Sequence, residues 1–147
     1  MVEIGGEVVV KGVNEKGTPW HISIDMPVEN NQATVHESAL VIALNGKAVA
    51  TSGNYRKFKE VNGKKVSHIV NPLTGKSEES TLLSATVVAP DCMTADAWAT
   101  ACMAMGTERT QTLFEKRTDL GVMTISTDTE GNFIVWSNAP FAALLPK

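Results

Sequence analysis

Residues Ala89 to Gly106 read A-P-D-C-M-T-A-D-A-W-A-T-A-C-M-A-M-G, and this stretch decides the fold. Pro90 and Asp91 end a strand-like run, and Asp91 or Thr94 can cap the first turn of a helix. Gly106 suits the left-handed turn that follows a helix. The residues between them are good helix formers with almost no charge. We therefore predict a helix that is buried over most of its surface.

This predicted helix contains one acid, Asp96, and Thr100 lies four residues further along. That spacing puts both side chains on one face, about a turn apart. A carboxylate and a hydroxyl presented together suit a hard cation such as Mg²⁺. In the alternative interpretation, Thr100 bonds back to the carbonyl of Asp96 and the carboxylate pairs with a base. Spacing alone favours this second interpretation, because buried polar groups are usually satisfied within the protein.

Composition indicates one globular domain without a nucleic-acid role. The chain has 147 residues, 43% of them hydrophobic and 20% charged, and its net charge is −3. Its lysines are scattered, so there is no basic stripe for a phosphate backbone. Cys92 and Cys102 lie about 15 Å apart along the predicted helix, which is too far for a disulfide.

The N-terminal run Val2 to Gly12 reads V-E-I-G-G-E-V-V-V-K-G and predicts a strand interrupted by Gly5 and Gly6. Paired glycines in a strand indicate either a bulge or a close approach of the backbone to a ligand. In the first case the flanking acids, Glu3 and Glu7, are simply solvated. In the second, a ring or a phosphate lies against bare backbone.

Asn45-Gly46 separates two apolar runs and predicts a β-hairpin. The second run ends in Thr51, Ser52 and Gly53. Hydroxyls and backbone N–H groups at a strand end can hold a phosphate. A plain loop would have the same composition, so both interpretations stay open.

Two histidines lie on predicted strands. His21 belongs to the alternating strand Trp20 to Met26 and is expected at the surface. His68 ends a short strand just before a Pro-led turn, where a structural or idle role is favoured on the sequence alone. A second hairpin is predicted around Asn62-Gly63.

The C-terminal part predicts a central strand, a second helix and a closing hairpin. Leu82 to Pro90 is rich in β-branched residues, and Thr107 to Thr118 is amphipathic, with Leu113 and Phe114 facing inward. Two further strands follow, together with an apolar tail that must pack against the rest of the chain. Strands, then helices, then strands favour an α+β fold with a mostly antiparallel sheet. The two further strands are Leu120 to Ser126 and Phe133 to Ser137, and the apolar tail is Pro140 to Leu145.

Four blocks in this order resemble the C-terminal half of the ApbE family, the FAD:protein FMN transferases once called thiamine biosynthesis lipoproteins. The blocks span nearly the whole chain, which makes the resemblance specific. They are E-I-G-G-E (Glu3 to Glu7), A-T-S-G-N-Y (Ala50 to Tyr55), S-H-I-V-N-P-L-T-G-K (Ser67 to Lys76) and A-P-D-C-M-T-A-D-A-W-A-T-A (Ala89 to Ala101).

The resemblance implies an enzyme that cleaves Mg²⁺-bound FAD, passes FMN to a threonine of a target protein, and releases AMP. Asp96 and Thr100 are then the side-chain ligands of the metal, and His68 is the catalytic base. The cofactor-binding residues implied are Glu3, Gly5, Gly6, Glu7, Thr51, Ser52 and Gly53.

The implied partners are FAD, a flavin-carrying respiratory or electron-transfer subunit with an acceptor threonine, and the N-terminal half of the same enzyme. The implied location is the periplasmic side of the inner membrane, with a lipid anchor on a segment outside this chain. We expect the chain to be the C-terminal portion of a longer enzyme. The alternatives are an FAD diphosphatase, a non-catalytic flavin-binding module and a purely structural fragment.

Two positions depart from the family pattern, since Asn54 and Asn71 stand where the family commonly has aspartate. Loss of a carboxylate at either position could alter the handling of metal or substrate. The segment Ser84-Ala85-Thr86 resembles part of a target motif. It falls in a predicted core strand, so we interpret it as structural.

Overall fold

The computed structural model describes residues 1–27, 38–54, 58–61, 64–67, 69–72, 74–75 and 81–146. Within these residues the elements are, in chain order, β1 (Val2–Ile4), β2 (Glu7–Val9), β3 (Trp20–Asp25), β4 (Ser38–Leu44), β5 (Ala48–Gly53), β6 (Phe58–Val61), β7 (Lys64–Ser67), β8 (Leu82–Ala89), α1 (Cys92–Met105), α2 (Thr107–Glu115), β9 (Gly121–Thr127), β10 (Phe133–Ser137) and α3 (Ala139–Ala142).

A six-stranded antiparallel sheet in the order β1-β2-β5-β8-β9-β10 forms the middle layer. Strands β3 and β4 pair with each other in a second sheet, and β6 pairs with β7 in a third. Strand β8 lies between β5 and β9 and is buried along almost its whole length. The predicted α+β fold with a mostly antiparallel sheet is therefore confirmed. The strand that begins at Leu82 is central, as predicted.

Helix α1 covers one face of this sheet, against β5 and β8. Asp91 caps it by accepting a hydrogen bond from the backbone N–H of Thr94 at 2.8 Å, and Gly106 ends it with φ 77°. Its buried side chains are Ala95, Ala99, Cys102 and Met103, so small residues let the helix lie close to the strands. Burial of these residues in one apolar cluster fixes α1 in place.

The opposite face of α1 is not buried, which corrects the prediction of a mostly buried helix. Met93 is 81% exposed, and Asp96, Ala97 and Thr100 are exposed as well. The sheet covers one side of α1, and the other side faces a groove. A helix with so little charge gives no periodic signal that distinguishes a groove-facing side from a core-facing side.

The other face of the main sheet packs against β3, β4 and α3. Ile42 and Leu44 of β4 are fully buried there beside Val49 of β5 and Phe141 of α3. Helix α3 lies so close to β9 that a Cβ atom at Gly121 would come within 3.2 Å of the Phe141 backbone. The apolar C-terminal tail thus packs as predicted.

The Asn45-Gly46 segment does not form the predicted hairpin. Strand β4 before it pairs with β3, whereas β5 after it pairs with β2 and β8. Gly46 has φ 65°, so the local turn chemistry is present. Burial of Leu44 and Val49 between two layers outweighs the local preference and sends the strands to different sheets.

Gly5 and Gly6 form a hairpin turn between β1 and β2, not a bulge inside one strand. Ile4 pairs with Glu7, and both glycines have positive φ, 69° and 106°. A two-residue turn with positive φ at both positions is the geometry that best matches strand twist. The predicted bulge was therefore wrong. The turn nevertheless favours glycine at both positions, because both have positive φ.

Several smaller predictions can be compared with the structure. The β6–β7 pairing, with Val61 opposite Lys64, confirms the second hairpin. Phe114 is buried as predicted, but Leu113 is 39% exposed, because α2 rests on its neighbours along a narrow face. None of the described helices is long and apolar enough to cross a membrane.

Candidate functional site

A groove of about 1160 Å³ runs along the edge of the main sheet beside α1. It collects residues that are far apart in sequence, from the β1–β2 hairpin, β3, β5, the segment after β7, and α1. All nine predicted metal and cofactor residues in the described part of the chain line it: Glu3, Gly5, Gly6, Glu7, Thr51, Ser52, Gly53, Asp96 and Thr100.

Asp96 and Thr100 lie on the exposed face of α1 and open into this groove. No base among the described residues pairs with the Asp96 carboxylate, so the ion pair of the alternative interpretation is absent there. The Thr100 hydroxyl oxygen lies 3.2 Å from that of Ser52 on β5. Strand β5 therefore holds the hydroxyl beside the carboxylate.

These two side chains can supply part of a metal site. No group of three or more His, Cys, Asp or Glu side chains converges on a common point among the described residues. A magnesium ion characteristically takes one or two protein oxygens and completes its shell with water and substrate phosphate. A carboxylate that has no partner among the described residues, one turn from a hydroxyl and open to the same groove, fits such an ion.

The end of β5 has an edge without a strand partner in the described chain, because β2 pairs only with its first part. Within the described chain β2 pairs with β5 at Val49 and Ala48, and residues 50–53 continue beyond it. The Thr51 hydroxyl lies 2.9 Å from that of Thr86, on the face away from α1, whereas Ser52 faces α1. The groove therefore wraps around a free strand edge.

The groove is acidic. Its described lining carries the carboxylates of Glu3, Glu7, Asp25 and Asp96 and no lysine or arginine. An anionic ligand entering it meets like charges unless a cation accompanies it.

Three polar lining residues were missed by the sequence analysis. His21, Ser23 and Asp25 extend along the outward side of β3, and all three line the groove. The alternation in W-H-I-S-I-D predicted a polar face of β3 with His21 and Ser23, and both are exposed, whereas Asp25 is partly buried. It carried no information about which cavity the face would line, since that depends on how the two sheets pack.

His68 lies outside the described residues. The segment that follows it reaches the groove through Ile69, Val70 and Pro72. The predicted turn after it is present, because the Gly75 N–H donates to the Asn71 carbonyl at 2.8 Å.

Ser84, Thr86 and Asn54, which the sequence also drew attention to, lie where they support the fold. Ser84 and Thr86 are buried in β8, in agreement with a structural role. The Asn54 side chain donates to the Leu82 carbonyl at 3.1 Å, so it secures the end of β5. An aspartate there could not donate that bond.

Both cysteines are free. Burial raises the pKa of the Cys102 thiol to about 11. Partial burial, followed by the charges of Glu7 and Asp91, raises the pKa of Cys92. Neither thiol is activated as a nucleophile.

The sequence model of the ApbE family matches residues 1–124. The chain belongs to the ApbE family. Its relatives include an FAD:protein FMN transferase from Vibrio cholerae, 40% identical over 147 residues, and one from Salmonella typhimurium, 36% identical over 145 residues. The match to the Vibrio cholerae protein covers the whole of this ApbE-family chain but only 42% of that relative. The match to the Salmonella typhimurium protein covers 99% of this chain and 40% of that relative.

Solved ApbE structures share the fold. The flavin transferase ApbE from Vibrio cholerae superposes with a TM-score of 0.76 at 38% identity, over 97% of this chain and 43% of that one. The ApbE protein of Thermotoga maritima gives a TM-score of 0.79 at 28% identity, over 99% and 44% respectively. The resemblance to this family and to its fold is thereby confirmed.

Proposed function

We propose that this chain is the C-terminal portion of a Mg²⁺-dependent FAD:protein FMN transferase. The observation that carries the proposal is the convergence of nine predicted ligand residues from three separate segments on one groove. Relatives named FAD:protein FMN transferase support the activity. They are more than twice as long, so the N-terminal portion is a further partner in the proposed enzyme.

The acidic lining supports a requirement for a divalent cation. FAD carries a diphosphate, and the described lining of the groove holds four carboxylates and no lysine or arginine. Mg²⁺ held by Asp96 and Thr100 would neutralise the diphosphate and stabilise charge on the departing AMP. Asp96 binds through its carboxylate, and Ser52 keeps the Thr100 hydroxyl directed towards the same place.

The remaining residues position FAD and move one proton. The Gly5-Gly6 hairpin and the β5 end from Thr51 to Gly53 lie against the nucleotide. The acceptor threonine oxygen forms a bond to the FMN phosphorus, and the bond from that phosphorus to the AMP oxygen breaks. His68 accepts the threonine proton, and AMP leaves with the electron pair of the broken bond.

A second candidate is hydrolysis of FAD to FMN and AMP. The exposure of Asp96 and Thr100 favours it, because water can reach the diphosphate from the open side of the groove. Water then takes the place of the threonine hydroxyl.

The acceptor is proposed to be a flavin-carrying respiratory or electron-transfer subunit, and the location the periplasmic side of the inner membrane. Both proposals rest on the family resemblance. Fractionation of cells that produce the native protein tests the location. Recovery in the cytoplasmic fraction would contradict it.

The decisive experiment mixes the chain with FAD, Mg²⁺ and an acceptor protein, with and without the N-terminal portion of the Vibrio cholerae transferase. Mass spectrometry of the acceptor should show a gain of one FMN, and chromatography should show an equal amount of AMP. AMP without acceptor modification would favour the hydrolase. If neither the FMN-modified acceptor nor AMP forms in either mixture, both candidate functions are contradicted.

Variants link the reaction to the groove. Asp96→Asn should abolish both products, whereas Glu115→Gln, on the exposed side of α2, should leave them unchanged. Equal activity of the two variants would exclude Asp96 from the site.

A further inference from the structure

The connection between β4 and β5 is an exposed asparagine followed by a glycine. Asn45 and Gly46 are both exposed, and Gly46 has φ 65°. A Cβ atom built on Gly46 would meet nothing within 4 Å beyond its chain neighbours, so the space around this part of the backbone is open. Within the described chain, nothing shields the junction between the two residues.

The side-chain amide of Asn45 has no hydrogen-bond partner among the described residues. It can therefore turn towards the backbone nitrogen of Gly46 without breaking a contact. Elsewhere in the described chain asparagine amides are held by hydrogen bonds, as are those of Asn14, Asn54, Asn132 and Asn138.

An asparagine amide beside an unhindered backbone nitrogen is open to attack by that nitrogen. The Gly46 nitrogen forms a bond to Cγ of Asn45, the bond from Cγ to the side-chain nitrogen breaks, and ammonia leaves with the proton of the attacking N–H. Water then opens the five-membered ring at either of its two carbonyls. One opening gives aspartate. The other gives isoaspartate, in which the main chain runs through the former side chain and is longer by one atom.

We propose that Asn45-Gly46 is a site of spontaneous deamidation, and that its isoaspartate product loosens the attachment of β5. The reaction consumes only water. Asparagine is among the thermolabile residues of proteins, and a following glycine has no Cβ to obstruct the attack. This inference does not depend on the proposed transferase function.

Both sides of this connection are fixed in the fold, which is why a longer main chain disturbs it. Leu44 and Ala48 are fully buried, and the Lys47 carbonyl accepts from the Val10 N–H at 3.0 Å. An extra atom between two fixed points forces one of them to shift, and close-packed interiors accommodate shifts poorly. Strand β5 (Ala48–Gly53) leads from this connection to the groove, so the disturbance is carried towards the site.

Peptide mapping of the aged 147-residue chain tests the chemistry. Mass spectrometry should locate an amide-to-acid conversion at Asn45, and an isoaspartyl methyltransferase should label the product. Asn14 is the internal control and should convert at least about tenfold more slowly, because its amide is hydrogen-bonded to Thr18 and its next residue carries a side chain. Conversion of Asn45 no faster than that of Asn14 would overturn the proposal.

Two variants separate the longer main chain from the added charge. Asn45→Asp adds the charge with a normal main chain, whereas Asn45→Gln does not readily close the five-membered ring. The denaturation midpoint of the native chain should fall during ageing in proportion to its isoaspartate content. Freshly prepared Asn45→Asp and aged Asn45→Gln should both keep the midpoint of the fresh native chain. The second variant also controls for Asn62-Gly63, which has the same sequence and lies outside the described residues.

Amide exchange reports on β5 itself. Exchange of the Val49 amide, in the pairing of β2 with β5, should accelerate at least about tenfold in the isoaspartate fraction, because the strand opens more often. An equal loss of midpoint in aged Asn45→Gln, or unchanged Val49 exchange at high isoaspartate content, would overturn the effect on β5.

Discussion

The hydroxyl oxygens of Ser52 and Thr100 lie 3.2 Å apart and join the end of β5 to the exposed face of α1. The two residues are 48 positions apart in sequence. Their contact brings one strand end, one helix face and the Asp96 carboxylate to the same part of the groove. Four predictions depend on this arrangement or on the core beneath it.

Replacing Asp96 by asparagine should weaken Mg²⁺-dependent binding of FAD at least about tenfold, because even the loss of an outer-shell partner has an effect of that size. The free energy of unfolding should change by less than about 0.5 kcal/mol, since the carboxylate has no partner to lose among the described residues. Titration calorimetry and urea denaturation measure the two effects. Glu115→Gln is the control, and an unchanged FAD affinity in Asp96→Asn would contradict the metal site.

Replacing Thr100 by valine should remove the second ligand while keeping the shape of the side chain. Ser52→Ala should have a smaller effect, about tenfold or less on FAD affinity, because it acts through the orientation of Thr100. Thr112→Val, at an exposed position of α2, is the matched control. Calorimetry with and without Mg²⁺ separates the variants, and a larger loss in Ser52→Ala than in Thr100→Val would reverse the assigned roles.

Replacing Asn138 by alanine should destabilise the protein by about 3 kcal/mol, because several buried backbone groups lose their partner. The Asn138 carbonyl oxygen accepts from Val122, at 2.9 Å, and its amide donates to Leu120, at 2.9 Å, and to Phe114. Asn132→Ala, in an exposed turn, should cost less than about 1 kcal/mol. Denaturant unfolding measures the difference, and equal costs would mean that solvent reaches the Asn138 site.

Stability should decline at alkaline pH through Cys102. Burial raises the folded pKa of this thiol to about 11, above the ordinary value of 9.0. Between these values the unfolded chain releases a proton that the folded chain retains, so stability is complete below about pH 9 and falls as the pH approaches 11. Thermal melting of Cys102→Ala should show a weaker decline over that window. Parallel curves for the native chain and Cys102→Ala would contradict the assignment.

Much of the fold was predictable because its signals are local. Asp91 and Gly106 mark the ends of α1 through cap chemistry that involves only neighbouring residues. The β-branched run from Leu82 indicated a central strand because such runs require burial on both faces. The positions of Asp96 and Thr100 on one face followed from helical spacing.

The failures arose where distant packing decides the outcome. Asn45-Gly46 carries a strong hairpin signal, yet Leu44 and Val49 belong to two different sheets that pack against each other in one apolar cluster. This packing separates the flanking strands. Gly5 and Gly6 permit a bulge or a turn, and the pairing of Ile4 with Glu7 selects the turn. His21 was predictable as exposed, but its place in the groove depends on how β3 packs against the main sheet.

The sheet order also limits how the chain can reach its folded state. Strand β5 joins β2, about forty residues earlier in the chain, to β8, about thirty residues later. The neighbouring pairs β1–β2 and β9–β10 close short turns, so they can form before β5 takes its place. Pulse-labelling during refolding should then show the Val49 and Ala50 amides protected later than those of Ser126 and Ile134, which face each other across the β9–β10 pair. Insertion of β5 would be the slow step that assembles the groove, and ligand binding would appear only after it.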